Sequence, residues 1–76
     1  MITATELTNS AIRIDNDVNG NPRYYLPIFL LPKMDDKTRR NAGLAKYRGK
    51  RFGAGYVVQS YSLEHDLGWV LSKIAA

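Results

Sequence analysis

Seventy-six residues without a cysteine make one domain, 1–76, that has neither a disulfide staple nor a thiolate metal site. A formal net charge of +4 beside 45% hydrophobic residues argues against a disordered basic tail and for a folded domain. The longest apolar stretch, Tyr24 to Leu31, is broken by Pro27 and falls far short of the about 20 residues a membrane-spanning helix needs.

A chain of this size buries only about 60% of its unfolded surface, so its core is small. Met1-Ile-Thr-Ala-Thr-Glu-Leu7 shows neither the basic start nor the apolar run of a signal peptide. The expectation is a soluble, cytoplasmic protein with no membrane partner, which the absence of cysteine suits.

Residues 3–10 are mostly polar and suit a short turn of helix. Ala11 to Asp15 alternates apolar and charged residues, which places Ile12 and Ile14 on one face of a strand. Asn19-Gly20 is a tight-turn signal, so a hairpin is expected there. Pro22 should end ladder pairing, and Arg23 to Leu31 reads as the returning strand. Pro27 offers no amide donor, which predicts an edge position or a bulge for that strand.

Asp35 or Asp36 can cap a helix running to about Tyr47, its acids at the start and its bases after them, as the helix dipole prefers. Gly43 weakens that helix by about 1 kcal/mol relative to Ala. Tyr56 to Tyr61 has the strongest strand character in the chain, and Phe52 can begin that strand, with Gly53 and Gly55 forming a bulge or a tight bend. Ser62 suits an N-cap for a last helix. Leu63, Leu67, Val70, Leu71 and Ile74 fall on one face of it, at i, i+4, i+7, i+8 and i+11. The predicted fold is therefore α+β, a ββαβα domain whose three-stranded, mainly antiparallel sheet is covered by an amphipathic C-terminal helix.

The charge is not evenly distributed. Lys37, Arg39, Arg40, Lys46, Arg48, Lys50 and Arg51 account for seven of the eleven bases, and no acid interrupts them. The remainder of the chain holds four bases against seven acids and is net negative. Such a segment is an electrostatic footprint whose partner is a polyanion or an acidic protein face. Tyr47, Phe52, Tyr56 and Tyr61 interleave with the bases or follow them, so base stacking beside phosphate contacts is one reading. The other is that these rings build the core and the charges keep a small domain soluble.

No reaction centre emerges. His65, the single histidine, lies in the first turn of the last helix between Glu64 and Asp66, without the oriented partner a general base requires. Ser60 and Ser62 lie on no nucleophile elbow. Asp15, Asn16, Asp17 and Asn19 are oxygen-rich, but they lack the glycine and glutamate of an EF-hand loop and suit a solvated turn. Gly49, Gly53 and Gly55 precede a strand, whereas phosphate-binding loops open a helix. The expectation is a protein that is not an enzyme and carries no cofactor or metal.

Asn19-Gly-Asn-Pro-Arg-Tyr24 and Lys46-Tyr-Arg-Gly-Lys-Arg-Phe-Gly-Ala-Gly-Tyr-Val-Val-Gln-Ser-Tyr61 together resemble a group of short proteins carried by bacteriophages, plasmids and integrative elements. In that group an NGNPRY hairpin precedes an amphipathic helix, a basic K-x-R-G-K stretch and a glycine-rich strand ending in Q-S-Y. Pro27 departs from its usually unbroken strand. The resemblance assigns no activity but implies a mobile-element origin, a setting rich in non-enzymatic antagonists of host machines such as restriction and CRISPR systems. Two functional readings follow. One is a binder and inhibitor of a host protein or nucleoprotein complex, acting through Lys37, Arg39, Arg40, Lys46, Tyr47, Arg48, Lys50 and Arg51. The other is direct binding of DNA or RNA through the same residues. A homodimer through an exposed edge strand stays open.

Overall fold

A computed structural model of the chain describes residues 2–75. Among them are α1 (Ala4–Ser10), β1 (Ile12–Asn16), β2 (Pro22–Pro27), a 3-10 turn (Ile28–Leu30), α2 (Asp36–Asn41), β3 (Ala45–Gly49), β4 (Gly53–Gln59) and α3 (Leu63–Ala75). The α+β class and the C-terminal helix are as the sequence implies. The order is αββαββα rather than ββαβα, and the sheet has four strands rather than three.

The N-terminal turn is a capped helix. The Thr3 hydroxyl accepts the Glu6 N–H and the Glu6 carboxylate accepts the Thr3 N–H, both at 3.1 Å. This reciprocal box satisfies two donors that a helix start leaves orphaned. It allows a mostly polar segment to hold Leu7, fully buried, in the core.

The sheet runs β1-β2-β4-β3 with every pair antiparallel. Two hairpins thus pack side by side, with β2 and β4 in the middle. Because side chains alternate across a strand, register sorts them onto two faces. Leu26 lies opposite Tyr56 and Tyr24 opposite Val58. These face the helices and share one core with Leu7, Leu31, Ala42, Leu44, Leu67 and Val70. Tyr25 and Val57 are paired on the opposite face and are also buried. A second, smaller apolar cluster forms there: the Tyr25 ring stacks on Phe52 and meets Tyr47 edge-on, each at 5.0 Å between centroids.

The first turn forms as expected. Asp17 Oδ1 accepts the N–H groups of Asn19 and Asn21 at 2.9 Å, and Gly20 has φ +83. Beyond it, the strand differs from expectation. Pro22 does not end the ladder; it pairs with Asn16, and its carbonyl accepts the Ser60 N–H. Nor is β2 at an edge. Pro27 is its last residue, opposite Gly55, so an interior strand tolerates the missing donor at its end. The chain then leaves the sheet through the 3-10 turn rather than continuing as strand to Leu31.

The largest correction concerns residues 42–49. The helix expected to reach Tyr47 stops at Asn41. Gly43 takes φ +73, its N–H bonds the Arg40 carbonyl at 3.0 Å, and the Leu44 N–H bonds the Arg39 carbonyl at 3.1 Å. That pair of bonds is a Schellman stop, which needs a left-handed residue where only glycine is unstrained. Gly43 is a terminator rather than a weak helical position. The chain after it is β3, so Lys46, Tyr47 and Arg48 belong to a strand. Lys50, Arg51 and Phe52 form the loop to β4, which begins at Gly53, one residue after the Phe52 start that the sequence allows.

Candidate functional site

The eight residues singled out in the sequence fall on α2, β3 and the β3–β4 loop. Lys37 and Arg40 are exposed on α2. Arg39 turns inward: its side chain is 15% exposed and donates to the Leu44 carbonyl at 2.7 Å. In β3, Lys46 and Arg48 lie opposite Tyr56 and Ala54, on the face that carries the helices. Tyr47 points to the other face, half-buried against Tyr25 and Phe52. Lys50 and Arg51 form the loop tip, with the Arg51 guanidinium 5.1 Å from the centre of the Phe52 ring.

One carboxylate joins these elements. Asp36, in the first turn of α2, lies 3.3 Å from Lys46 Nζ and 3.6 Å from Arg39 Nε. The Lys46 ammonium, as hydrogen-bond donor and then as charge, holds the Asp36 carboxyl below its ordinary range, and Arg39 adds to this. Among the described residues no acid forms an ion pair with Lys37, Arg40, Arg48, Lys50 or Arg51. Between α2, the 3-10 turn and the β3–β4 hairpin lies a cleft of about 290 Å³, whose lining includes Arg39, Lys46, Arg48, Asp36, Tyr56 and Met34. The Nε of Arg39 is buried and lacks a hydrogen-bond partner.

The remaining aromatics divide. Tyr56 is core and Tyr61 is exposed. Trp69 is half-exposed; it packs over Gly43 at the end of α2, with Lys73 Nζ 5.4 Å from its ring centre. Sequence reasoning missed Asp36 as the common partner and missed the cleft. The alternation of Ala45, Tyr47 and Gly49 with Lys46 and Arg48 was the available signal, since a period of two describes a strand with its cations on one face.

The oxygen-rich turn is occupied by its own structure. Asp15 pairs with Arg23 at 2.7 Å, and Asp17 holds the turn amides. No cluster of metal-ligating side chains occurs among the described residues. The Arg23 side chain, as hydrogen-bond donor, lowers the Asp15 pKa, and the Asn21 amide lowers that of Asp17. The Thr38 amide lowers Asp35 and the Thr3 amide lowers Glu6. Each group has a folded pKa below its unfolded one, so its contribution is present above the unfolded value and lost as pH falls through the folded value. Melting temperature should therefore be level above about pH 5 and decline as pH drops below the ordinary carboxyl values of 3.8 and 4.5. A thermal scan series in buffers from neutral to strongly acidic reads this directly. A melting temperature that stays level to the acid end would mean that these caps and pairs contribute nothing.

Fold and surface together define a small α+β domain that carries its positive charge on one hairpin and the helix beside it. No helix among the described residues is long and apolar enough to cross a membrane. Residues 2–76 match the family described as Staphylococcus phage terminal repeat-encoded protein TreK, and the chain belongs to that family. This agrees with the phage-type origin implied by the two motifs. No curated protein and no solved structure matches the chain.

Proposed function

We propose that this phage protein is a non-enzymatic binder of a host nucleic-acid-handling complex, which it inhibits or modulates from the cytoplasm, for example as an anti-CRISPR or other anti-defence factor. One observation carries the reading: five bases on α2, β3 and the hairpin loop have no acid partner among the described residues, in a chain whose remaining sequence is net negative. A surface kept uncompensated in this way favours encounter with an oppositely charged face. A protein face is favoured over a bare duplex because Asp36 sits between α2 and β3 and interrupts the cationic track a phosphate backbone would follow.

Of the two free edges, β3 is the better place to receive a partner strand. The β1 edge is broken by a register shift between Arg13 and Asp15, a feature that blunts strand addition. A second copy pairing on β3 would set Lys46 and Arg48 against their own like charges, which opposes a homodimer through that edge.

The test is capture from a nuclease-treated staphylococcal lysate by the tagged chain and by a Lys50→Ala, Arg51→Ala variant. One host protein held stoichiometrically by the parent, and held at least tenfold less by the variant at about 1.4 kcal/mol per decade, is the expected result. Recovery of no specific protein overturns the reading. Direct nucleic-acid binding is the second reading, supported by Arg51 seated over Phe52 at the loop tip. It requires anisotropy of labelled DNA or RNA to rise with protein and to fall steeply from about 50 to 200 mM salt.

A further inference from the structure

We infer that β3 takes an extended segment of the partner protein as a fifth strand, one in which acidic residues alternate with apolar ones; this rests on the proposed function and names the form and chemistry of the contact. β3 ends the sheet, and its five residues pair with β4 on one side alone. Among the described residues β4 is also the one element in extended contact with it. In an antiparallel ladder every second residue turns its N–H and C=O away from the neighbour it pairs with. The outer side of β3 therefore carries backbone donors and acceptors that no strand takes up. Ala45, Lys46 and Arg48 are exposed and Tyr47 and Gly49 half-buried, so none of the five is sealed off.

Bulges and prolines are among the devices that close an edge. β3 has neither: its register against β4 runs without a shift from Ala45 to Gly49, and it holds no proline. Its one large ring stays over the sheet. Tyr47 leans along its own strand, where a Cβ on Gly49 would collide with its hydroxyl, and packs 5.0 Å from Tyr25 of β2. Lysine on an edge is a further guard against strand addition. Here both charged residues of the edge have one sign, so they repel a basic strand and attract an acidic one.

Register dictates the sequence of the occupant. Lys46 and Arg48 lie opposite Tyr56 and Ala54 on the helix-bearing face, and Tyr47 lies on the other. Residues of an added strand directly across from Lys46 and Arg48 share that face and are two positions apart, so both suit an acid. Among the described residues Arg48 has no acid partner and Lys46 has Asp36 alone, at 3.3 Å. The residue between those two acids falls beside Tyr47, where an apolar side chain extends the cluster of Tyr47, Tyr25 and Phe52. The pattern is acid, apolar, acid. A strand paired along all of β3 ends beside the β3–β4 loop, within reach of Lys50 and Arg51. A phosphate backbone can meet the cations but has no N–H to give the β3 carbonyls, which favours a polypeptide.

The test is NMR of the full chain labelled with nitrogen-15, following the amides of β3 and, as a reference edge, those of β1. The probe is a cyclic hairpin peptide whose free strand reads Thr-Glu-Val-Glu-Thr; closing the ring cuts the cost of ordering a loose peptide. It should shift the β3 amides saturably and leave those of β1 in place. The same hairpin with the outward amides of that strand N-methylated keeps its charge but loses its donors, and should bind about tenfold more weakly. A Thr-Gln-Val-Gln-Thr hairpin, without the two opposite-charge pairs, should bind about threefold more weakly or less well still. Arg48→Glu should reverse the order and take a Thr-Lys-Val-Lys-Thr hairpin over the Glu one. No response at β3, or an equal response to the N-methylated or the Gln hairpin, overturns the proposal. So does a short oligothymidylate that shifts the β3 amides at lower concentration than the Glu hairpin, which would make the edge a phosphate site. A host protein captured by the chain while β3 ignores the Glu hairpin overturns strand addition and leaves the binding function standing. A β3 edge that responds while no host protein is captured supports the acidic-strand site and overturns the host-binding function.

Discussion

Replacing Leu67 by Ala should remove about 2–5 kcal/mol of stability, the range for emptying a fully buried leucine site. Leu67 is fully buried at the centre of the α3 stripe, in the same core as Leu7 of α1 and Leu26 of β2. The loss combines the transfer of the side chain with the cavity left among neighbours that cannot collapse, since α1 and the sheet hold the helix from two sides. At roughly 0.05–0.15 kcal/mol per residue, 76 residues supply only about 4–11 kcal/mol in all. The substitution therefore removes a large share of the fold's margin. Urea titration should show a much lower midpoint with an unchanged slope. Leu71→Ala, at a half-buried position of the same helix, should cost under about 2 kcal/mol. Equal costs at the two positions would mean that α3 is not seated by the face described.

The legibility of this chain follows from what kind of signal each element sends. The face of α3 was plain because five apolar residues recur at helical spacing over a 13-residue helix, long enough for periodicity to outweigh chance. The first hairpin was plain because Asn19-Gly20 has few other uses. Strand β3 was hidden, although its pattern is regular. Five residues hold barely two cycles of alternation, and the bases on them suit a helix by propensity. Only the tertiary position of Gly43 decides between a glycine tolerated in a helix and one that ends it. The cleft was not legible because Asp36, Lys46 and Arg48 converge through the fold: they are close in space only once the chain turns back at Gly43. Arg39, read as an outward contact, shows the same limit. Its role is set by the Leu44 carbonyl it reaches, and that carbonyl is placed by the turn. The second aromatic cluster was half-visible. Tyr47 and Phe52 stood out beside the bases, but Tyr25, the ring they pack against, comes from the other hairpin.

Gly55→Ala should cost about 3 kcal/mol, near the top of the usual range for overpacking. Gly55 sits in β4 between Pro27 of β2 and Tyr47 of β3, on the face with the aromatic cluster. A Cβ there would press on the Leu26 carbonyl oxygen and come within 2.5 Å of Tyr25 Cε1 and 2.9 Å of its Cζ. The carbonyl belongs to an interior strand and cannot retreat without breaking the ladder. Nor is the ring free. Its hydroxyl shares its one proton between the Phe52 and Ala54 carbonyls, at 2.9 and 3.1 Å, and the ring is stacked on Phe52. Gly53 is the internal control, since its φ is +80 but nothing lies within 4 Å of an added Cβ. Gly53→Ala should then cost only the left-handed strain of one residue, about 1–2 kcal/mol. Denaturation of the two variants side by side separates the effects: if Gly53→Ala is the more damaging, conformation matters more than space and the clamp around Tyr25 is looser than described. If Gly55→Ala dominates, the tyrosine is a fixed pillar beneath the basic hairpin. Its hydroxyl, shared between the Phe52 and Ala54 carbonyls, would then hold the loop bearing Lys50 and Arg51 in register with Arg48, so the variant should weaken partner capture along with the fold.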